Sequence, residues 1–274
     1  VTTTPSIAVA AETANDNLFM MTPSASAPAV IESGDNVFQI CFTDPNQGVA
    51  SADYIADNKL GTKVGIIYDS SDAYSSGIYE KFKAEADVKG LEIVAAEAFT
   101  ADNKSDLSTQ VAKCQQAGAD LVFLPIYYQE ASQILIAANK SGYAPVFFGC
   151  DGMDGILGVE GFDTSLAEGL LLMTPFSADD EKNADFVNAY KDKYGDTPDQ
   201  FAADAYDGVH AVVEALKEAG LGVDADPTEV AEKLPEAMRN ITVDGLTGKL
   251  SWNDKGQVQK DPTAYVITDG KYVQ

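Results

Sequence analysis

Between residues 62 and 175 short apolar runs alternate with longer stretches whose hydrophobic positions recur every three to four residues. The runs are VGIIY at 64–68, IVAA at 93–96, LVFL at 121–124 and VFFG at 146–149. Runs of this length, bounded by Gly and polar residues, read as buried strands. Between the first two, Ile78, Phe82 and Ala86 recur at i, i+4 and i+8 and the stretch ends at Gly90. Residues 105–117 end at Gly118 and residues 129–141 at Gly142, glycines suited to a left-handed helix cap. Strand, helix and strand at this spacing predict right-handed βαβ crossovers and a parallel sheet.

The flanking regions follow other patterns. Thr4-Pro5 reads as a helix start, leading an Ala-rich helix to Asn15, then a strand at 18–21, a Pro-led turn at 26–28 and a strand at 36–42. After Met173 come three helices without strands between them, 182–194, 200–219 and 228–239. Phe201, Ala205, Val209, Val212 and Leu216 mark the expected core face of the second. Two strands are too few to cover three amphipathic helices, so the first lobe is expected to be incomplete in this chain. The end, 248–273, reads as strands around a turn at 253–256 with Trp252 as anchor.

The expected organisation is therefore α/β with two lobes, each a mostly parallel sheet flanked by helices. Residues 1–44 form an incomplete N-terminal lobe, 45–175 the C-terminal lobe, 176–245 a return to the first and 246–274 the hinge and a return to the second. Crossings near 42–47, 174–175 and 244–248 would form a hinge whose closure traps a ligand. A chain of 274 residues with 45% hydrophobic content accommodates two lobes of ordinary size.

Charge narrows the partners. With 43 acids against 18 bases, net −25, the chain would repel phosphate backbones and anionic membranes, so nucleic acid is not expected as a partner. No apolar run approaches the roughly 18–20 residues that cross a bilayer, and no basic segment followed by an apolar one opens the chain, so no membrane insertion by this chain is expected. A start at Val1 instead of Met is expected of a processed or cut product. Cys41, Cys114 and Cys150 lack metal-site spacing. His210 is the only histidine and is expected to be structural, which excludes a Ser-His-Asp triad and multi-histidine metal sites. Gly155, Gly158 and Gly161 lack nucleotide-loop spacing, the run 102–106 lacks the Gly and Glu of a calcium loop, and 179–181 sits at a helix start that favours acids. Neither cofactor nor metal nor catalytic residue is expected.

What remains suits a small zwitterion. Open parallel sheets bind ligands outside the carboxyl ends of their strands, and Tyr74, Tyr127 and Asp151 stand just past three strands. Thr3 and Thr4 place hydroxyls at a helix N-terminus, a site for a carboxylate, with Ser24 and Ser26 beyond the strand 18–21. Asp151 could accept a ligand ammonium. Each residue also has a local reading: Thr4 as helix cap, Thr3, Ser24 and Ser26 as turn hydroxyls, Asp151 as a cap, Tyr74 as an exposed turn residue. Tyr127 and Tyr128 should point to opposite sides, so one of them lines a pocket.

The motifs VTTTP at 1–5, LFMMTPSASAP at 18–28, FTDPNQG at 42–48, YDSSDAYSSG at 68–77 and FGCDG at 148–152 resemble the type I periplasmic binding proteins, in the leucine/isoleucine/valine-binding branch that feeds ABC importers. The resemblance covers essentially the whole chain. It implies that Thr3 binds the ligand α-carboxylate, that Ser26 contacts both ligand termini and that Ser24 offers its carbonyl to the ammonium. Tyr74, Tyr127 and Tyr206 fall on aromatic positions that line the pocket. Asp151 stands where branched-chain binders carry glutamate, about 1.5 Å shorter in reach. Against the family's length, the first βαβα portion is absent.

The resemblance implies a monomeric, extracytoplasmic protein, periplasmic or a cell-surface lipoprotein, that captures a free amino acid and delivers it to the importer's membrane subunits; it is not an enzyme. A sensing domain of the same fold, and a binder of aromatic amino acids or small amides, are the alternatives; an enzyme built on Asp151 lacks a paired nucleophile.

Overall fold

A computed structural model describes residues 2–274; Val1 of the first motif lies outside them. In chain order the elements are α1 (Thr3–Asn15), β1 (Met20–Thr22), α2 (Pro28–Ile31), β2 (Val37–Gln39), α3 (Asp44–Asp57), β3 (Lys63–Asp69), α4 (Ala73–Lys89), β4 (Glu92–Phe99), α5 (Ser108–Gln116), β5 (Leu121–Leu124), α6 (Tyr128–Ser141), β6 (Val146–Gly149) and β7 (Leu171–Thr174). Then follow α7 (Ala184–Tyr194), α8 (Gln200–Glu218), α9 (Pro227–Asn240), β8 (Val243–Gly245), β9 (Gly248–Leu250), β10 (Thr263–Thr268) and β11 (Lys271–Val273). The chain divides into two units. One comprises the residues up to Thr43 together with Lys182–Asp261, the other Asp44–Glu181 with Pro262–Gln274. The divisions fall after 43, 181 and 261, against the expected 44, 175 and 245.

In the second unit a seven-stranded sheet runs β11-β10-β7-β6-β5-β3-β4. The run from β4 to β7 is parallel, as the crossover spacing predicts. The chain's end adds β10 antiparallel to β7 and β11 antiparallel to β10. Alternation along each strand feeds two cores. Val64, Ile66, Leu121 and Phe123 face one side, where Ile55 of α3 and Ile78 and Phe82 of α4 pack. Ile67, Val122 and Leu124 face the other, against Val111 of α5 and Ile134 of α6. Burial on both faces is why these strands read as unbroken apolar runs. Gly90 and Gly142 close α4 and α6 at φ 72° and 68°, where a side chain would be strained.

In the first unit β1 and β2 form a two-stranded parallel sheet. The other edge of β2 is met by the 252–258 segment: Gln39 N–H donates to the Gly256 carbonyl at 3.0 Å and Trp252 Nε1 donates to the Gln39 carbonyl at 2.7 Å. The core gathers Phe38, Ile40, Ala211, Ala215, Leu234, Met238, Leu250 and Trp252. The face that α8 buries differs in part from the expected one: Val212 and Leu216 pack against this core as expected, but its fully buried positions are others. Ala203, Asp204, Asp207, Gly208, Ala211 and Ala215 are buried, whereas Val209 is 66% exposed. Small side chains and two paired acids, not the largest apolar ones, carry this face inward.

Those acids belong to a buried polar network. Lys260 Nζ donates to Asp204 Oδ1 at 3.0 Å and to Thr247 Oγ1 at 2.9 Å. Thr247 Oγ1 donates to Asp207 Oδ2 at 2.7 Å, and Asp207 also accepts the backbone N–H groups of Leu246 and Thr247. Burial holds the Asp204 carboxyl above its ordinary value, opposed by the Lys260 charge. The network ties α8 to the β8–β9 turn and to the segment that follows.

Candidate functional site

The residues expected to bind a ligand fall into two sets, one in each unit. In the first unit, Thr3 opens α1 and is buried. Its Oγ1 accepts the N–H of Ser26 at 3.4 Å, which brings two of the expected site residues together. The loop from Thr22 to Ala27 is held in shape from beneath. Thr22 Oγ1 accepts the Ala25 N–H at 2.9 Å, and Gln39 Nε2 donates to the carbonyls of Ala25 and Ala27 at 2.9 and 3.2 Å. The Ser26 Oγ is buried and has no hydrogen-bond partner among the described residues. Thr2, not Thr4, is the N-cap of α1, and its side chain makes no capping bond. A helix N-terminus with outward N–H groups beside hydroxyls is suited to a carboxylate. Ser24 is half-buried on the same loop. Tyr206 lies on α8, 45% exposed, with its ring against Phe186 at 5.0 Å and His210 at 4.4 Å.

In the second unit the three expected residues meet. Tyr74 follows β3 in the first turn of α4, Tyr127 follows β5 and caps α6, and Asp151 follows β6 at the head of a short 3-10 turn, Asp151–Met153. Asp151 is 3% exposed and Tyr74 2%. The Tyr74 hydroxyl donates to Asp151 Oδ1 at 2.6 Å and accepts the Gly152 N–H at 2.9 Å. The rings of Tyr74 and Tyr127 stack at 4.8 Å and 22°. Burial, and after it the charge of Asp151, pushes the Tyr74 phenol well above its ordinary value. Tyr127 and Tyr128 separate as expected: Tyr127 packs on the core of α3 and α4, Tyr128 on that of α5 and α6.

One residue bonded to this set is not among the residues expected from the sequence. Gln47 of α3 is fully buried, and its Oε1 accepts the Asp151 N–H at 3.0 Å. In the sequence, residues 42–47 read as a crossing between lobes and not as the start of a helix. Among the described residues no group of three or more His, Cys, Asp or Glu could hold a metal ion. No helix among them is long and apolar enough to cross a membrane. The three cysteines are buried and form no disulfide among the described residues; burial pushes the Cys114 thiol up to about 12.

Comparison with known proteins follows the same lines. A family model described as "Periplasmic binding protein" matches residues 1–271. The leucine-, isoleucine-, valine-, threonine- and alanine-binding protein of Pseudomonas aeruginosa is 28% identical over 254 residues, 92% of this chain and 65% of that protein. The Leu/Ile/Val/Thr-binding protein of Salmonella typhimurium is 30% identical over 247 residues, 89% of this chain and 64% of that one. The chain thus spans just under two thirds of the length of these relatives. Among solved structures, the branched-chain amino acid transporter substrate binding protein LivJ of Streptococcus pneumoniae, in complex with isoleucine, superposes with a TM-score of 0.87 at 26% identity, covering 100% of this chain and 76% of that one. The leucine binding protein LivK of Thermotoga maritima gives 0.84 at 25% identity, covering 98% and 75%. By the near-complete family match and these superpositions, the chain belongs to the periplasmic binding protein family and has its type I fold.

Proposed function

We propose that this protein binds a free amino acid, of the branched aliphatic class, outside the cytoplasm and delivers it to the membrane subunits of an ABC importer. The observation that carries the reading is the buried Asp151 carboxylate at the carboxyl end of the parallel sheet, held by a tyrosine hydroxyl. A buried carboxylate at this place is the complement of a ligand ammonium. The other unit offers the complement of the ligand carboxylate: Thr3 and Ser26 hydroxyls beside the N-terminus of α1. Tyr127 supplies apolar surface for a side chain. The names of the relatives and of the isoleucine complex support the ligand class. Nothing in either set resembles a nucleophile with its base, so the reading is one of binding and release, without turnover.

A thermal-shift screen against the common amino acids tests it. A ligand of the folded state at about 100 times its dissociation constant adds about 2.7 kcal/mol, so leucine, isoleucine or valine should raise the melting temperature. A folded protein that responds to none of the amino acids overturns the reading; a response to aromatic amino acids alone moves the ligand class while leaving the mode of recognition.

A further inference from the structure

Tyr74 stands where pocket-lining aromatic residues are expected, yet its hydroxyl is already committed within the protein. A phenol has one proton to donate, and that of Tyr74 goes to Asp151 Oδ1 at 2.6 Å. This is the short distance of a charge-assisted O–H···O⁻ bond. The phenol oxygen is in turn held by the Gly152 N–H at 2.9 Å, and the ring is held by stacking on Tyr127. From the other side the Asp151 backbone is fixed by its N–H to Gln47 Oε1 at 3.0 Å. The arrangement leaves no room at residue 152: a Cβ there would stand 2.7 Å from the Tyr74 hydroxyl, 2.9 Å from the Ile126 carbonyl and 3.1 Å from the Tyr127 ring.

We infer that Tyr74 is a positioning residue, which together with Gln47 and the bare backbone of Gly152 presets the Asp151 carboxylate to receive a ligand amino group. The inference rests on the amino-acid reading above and deepens it. An aspartate with two free side-chain torsions would lose that freedom on binding; one already fixed does not, and the gain appears as affinity. Tyr74 therefore acts through Asp151, not through a hydrogen bond of its own to the ligand. The selectivity it confers is for the charged amino group and not for the side chain.

The test is a double-mutant cycle on the full-length protein with L-leucine, read by calorimetry. Tyr74→Phe keeps the stacked ring and removes only the hydroxyl; it should weaken binding by about 10- to 100-fold. In the Asp151→Asn background the same change should have little further effect, because the two groups act as one. A residue that merely packs the unit would lose affinity equally in both backgrounds, and that result overturns the inference. Gly152→Ala, which touches neither side chain chemically, should reproduce the loss of Tyr74→Phe; wild-type affinity in Gly152→Ala also overturns it. Absence of leucine binding by the wild type, with no other amino acid bound, would remove the amino-acid reading instead. The crystal structure of the unliganded Tyr74→Phe protein then decides the positioning claim: a carboxylate turned away from its wild-type direction upholds it, an unmoved one overturns it.

Discussion

In the unit built on β3 to β7, β10 and β11, helices cover both faces of a seven-stranded sheet, and Phe82, Phe123 and Phe148 lie fully buried between layers. In the other unit a two-stranded parallel sheet carries the core, and apolar side chains such as Leu18, Val209 and Val213 stay exposed. Both are built on apolar cores, and in the second directed polar contacts join distant segments: the Trp252 indole on β2 and the Lys260, Asp204, Thr247 and Asp207 network. The same division runs through the chemistry proposed for recognition. The larger sheet sets one carboxylate with aromatic support at its strand ends; the smaller unit offers hydroxyls and a helix N-terminus, beside a loop held by Gln39.

The contrast can be broken most forcefully in the larger core. Phe123, stacked on Phe82 at 4.0 Å, should cost about 3–5 kcal/mol when replaced by alanine, with faster hydrogen exchange in peptides from β3, β5 and β6. Equal acceleration in β1 and β2 would mean that the two units share one cooperative transition.

The next largest effect is expected in the smaller unit. Lys260→Met leaves the buried Asp204 carboxylate without its cation, a loss of about 3 kcal/mol, and Trp252, the only tryptophan, reports it by fluorescence. The loss depends on pH. An acid whose folded value is raised contributes stability below its ordinary value and loses it as pH rises through the raised value. Without the opposing Lys260 charge, Asp204 is raised further. The deficit of the variant should therefore be smallest below the ordinary carboxylate range and grow as pH rises through the raised value; a deficit that does not vary with pH would show that Asp204 does not bear the cost.

The smallest effect is expected at Val209. Val209→Thr on the exposed side of α8 should change stability by less than about 0.5 kcal/mol. A cost comparable to that of a core residue would show that this side of the helix is covered in the working protein.

Much of the larger unit could be read from the chain because its strands are buried on both faces, so runs such as 64–67 and 121–124 carry no polar interruption. Helix α3 begins inside the segment 42–47 that reads as a crossing. Gly48 sits within it where a Cβ would meet the Ile78 carbonyl at 2.7 Å and the Phe82 nitrogen at 2.8 Å; the glycine permits close packing of α3 on α4. With α3 unread, Gln47 went unread too. The face of α8 is only partly legible, through Val212 and Leu216, because its fully buried positions are mostly alanines, glycine and hydrogen-bonded acids, which a hydrophobic pattern displays poorly. For the site, position past a strand end was enough to single out Tyr74, Tyr127 and Asp151. That the first donates to the last is a distance across 77 residues of sequence, and no local signal encodes it.

The central claim, that Asp151 receives the amino group of an amino acid, is tested most directly by calorimetric titration of L-leucine into the wild-type and Asp151→Asn proteins. The account predicts saturable binding to the first and a loss of about 2–5 kcal/mol in the second, while both remain folded. An unchanged dissociation constant in Asp151→Asn would contradict it.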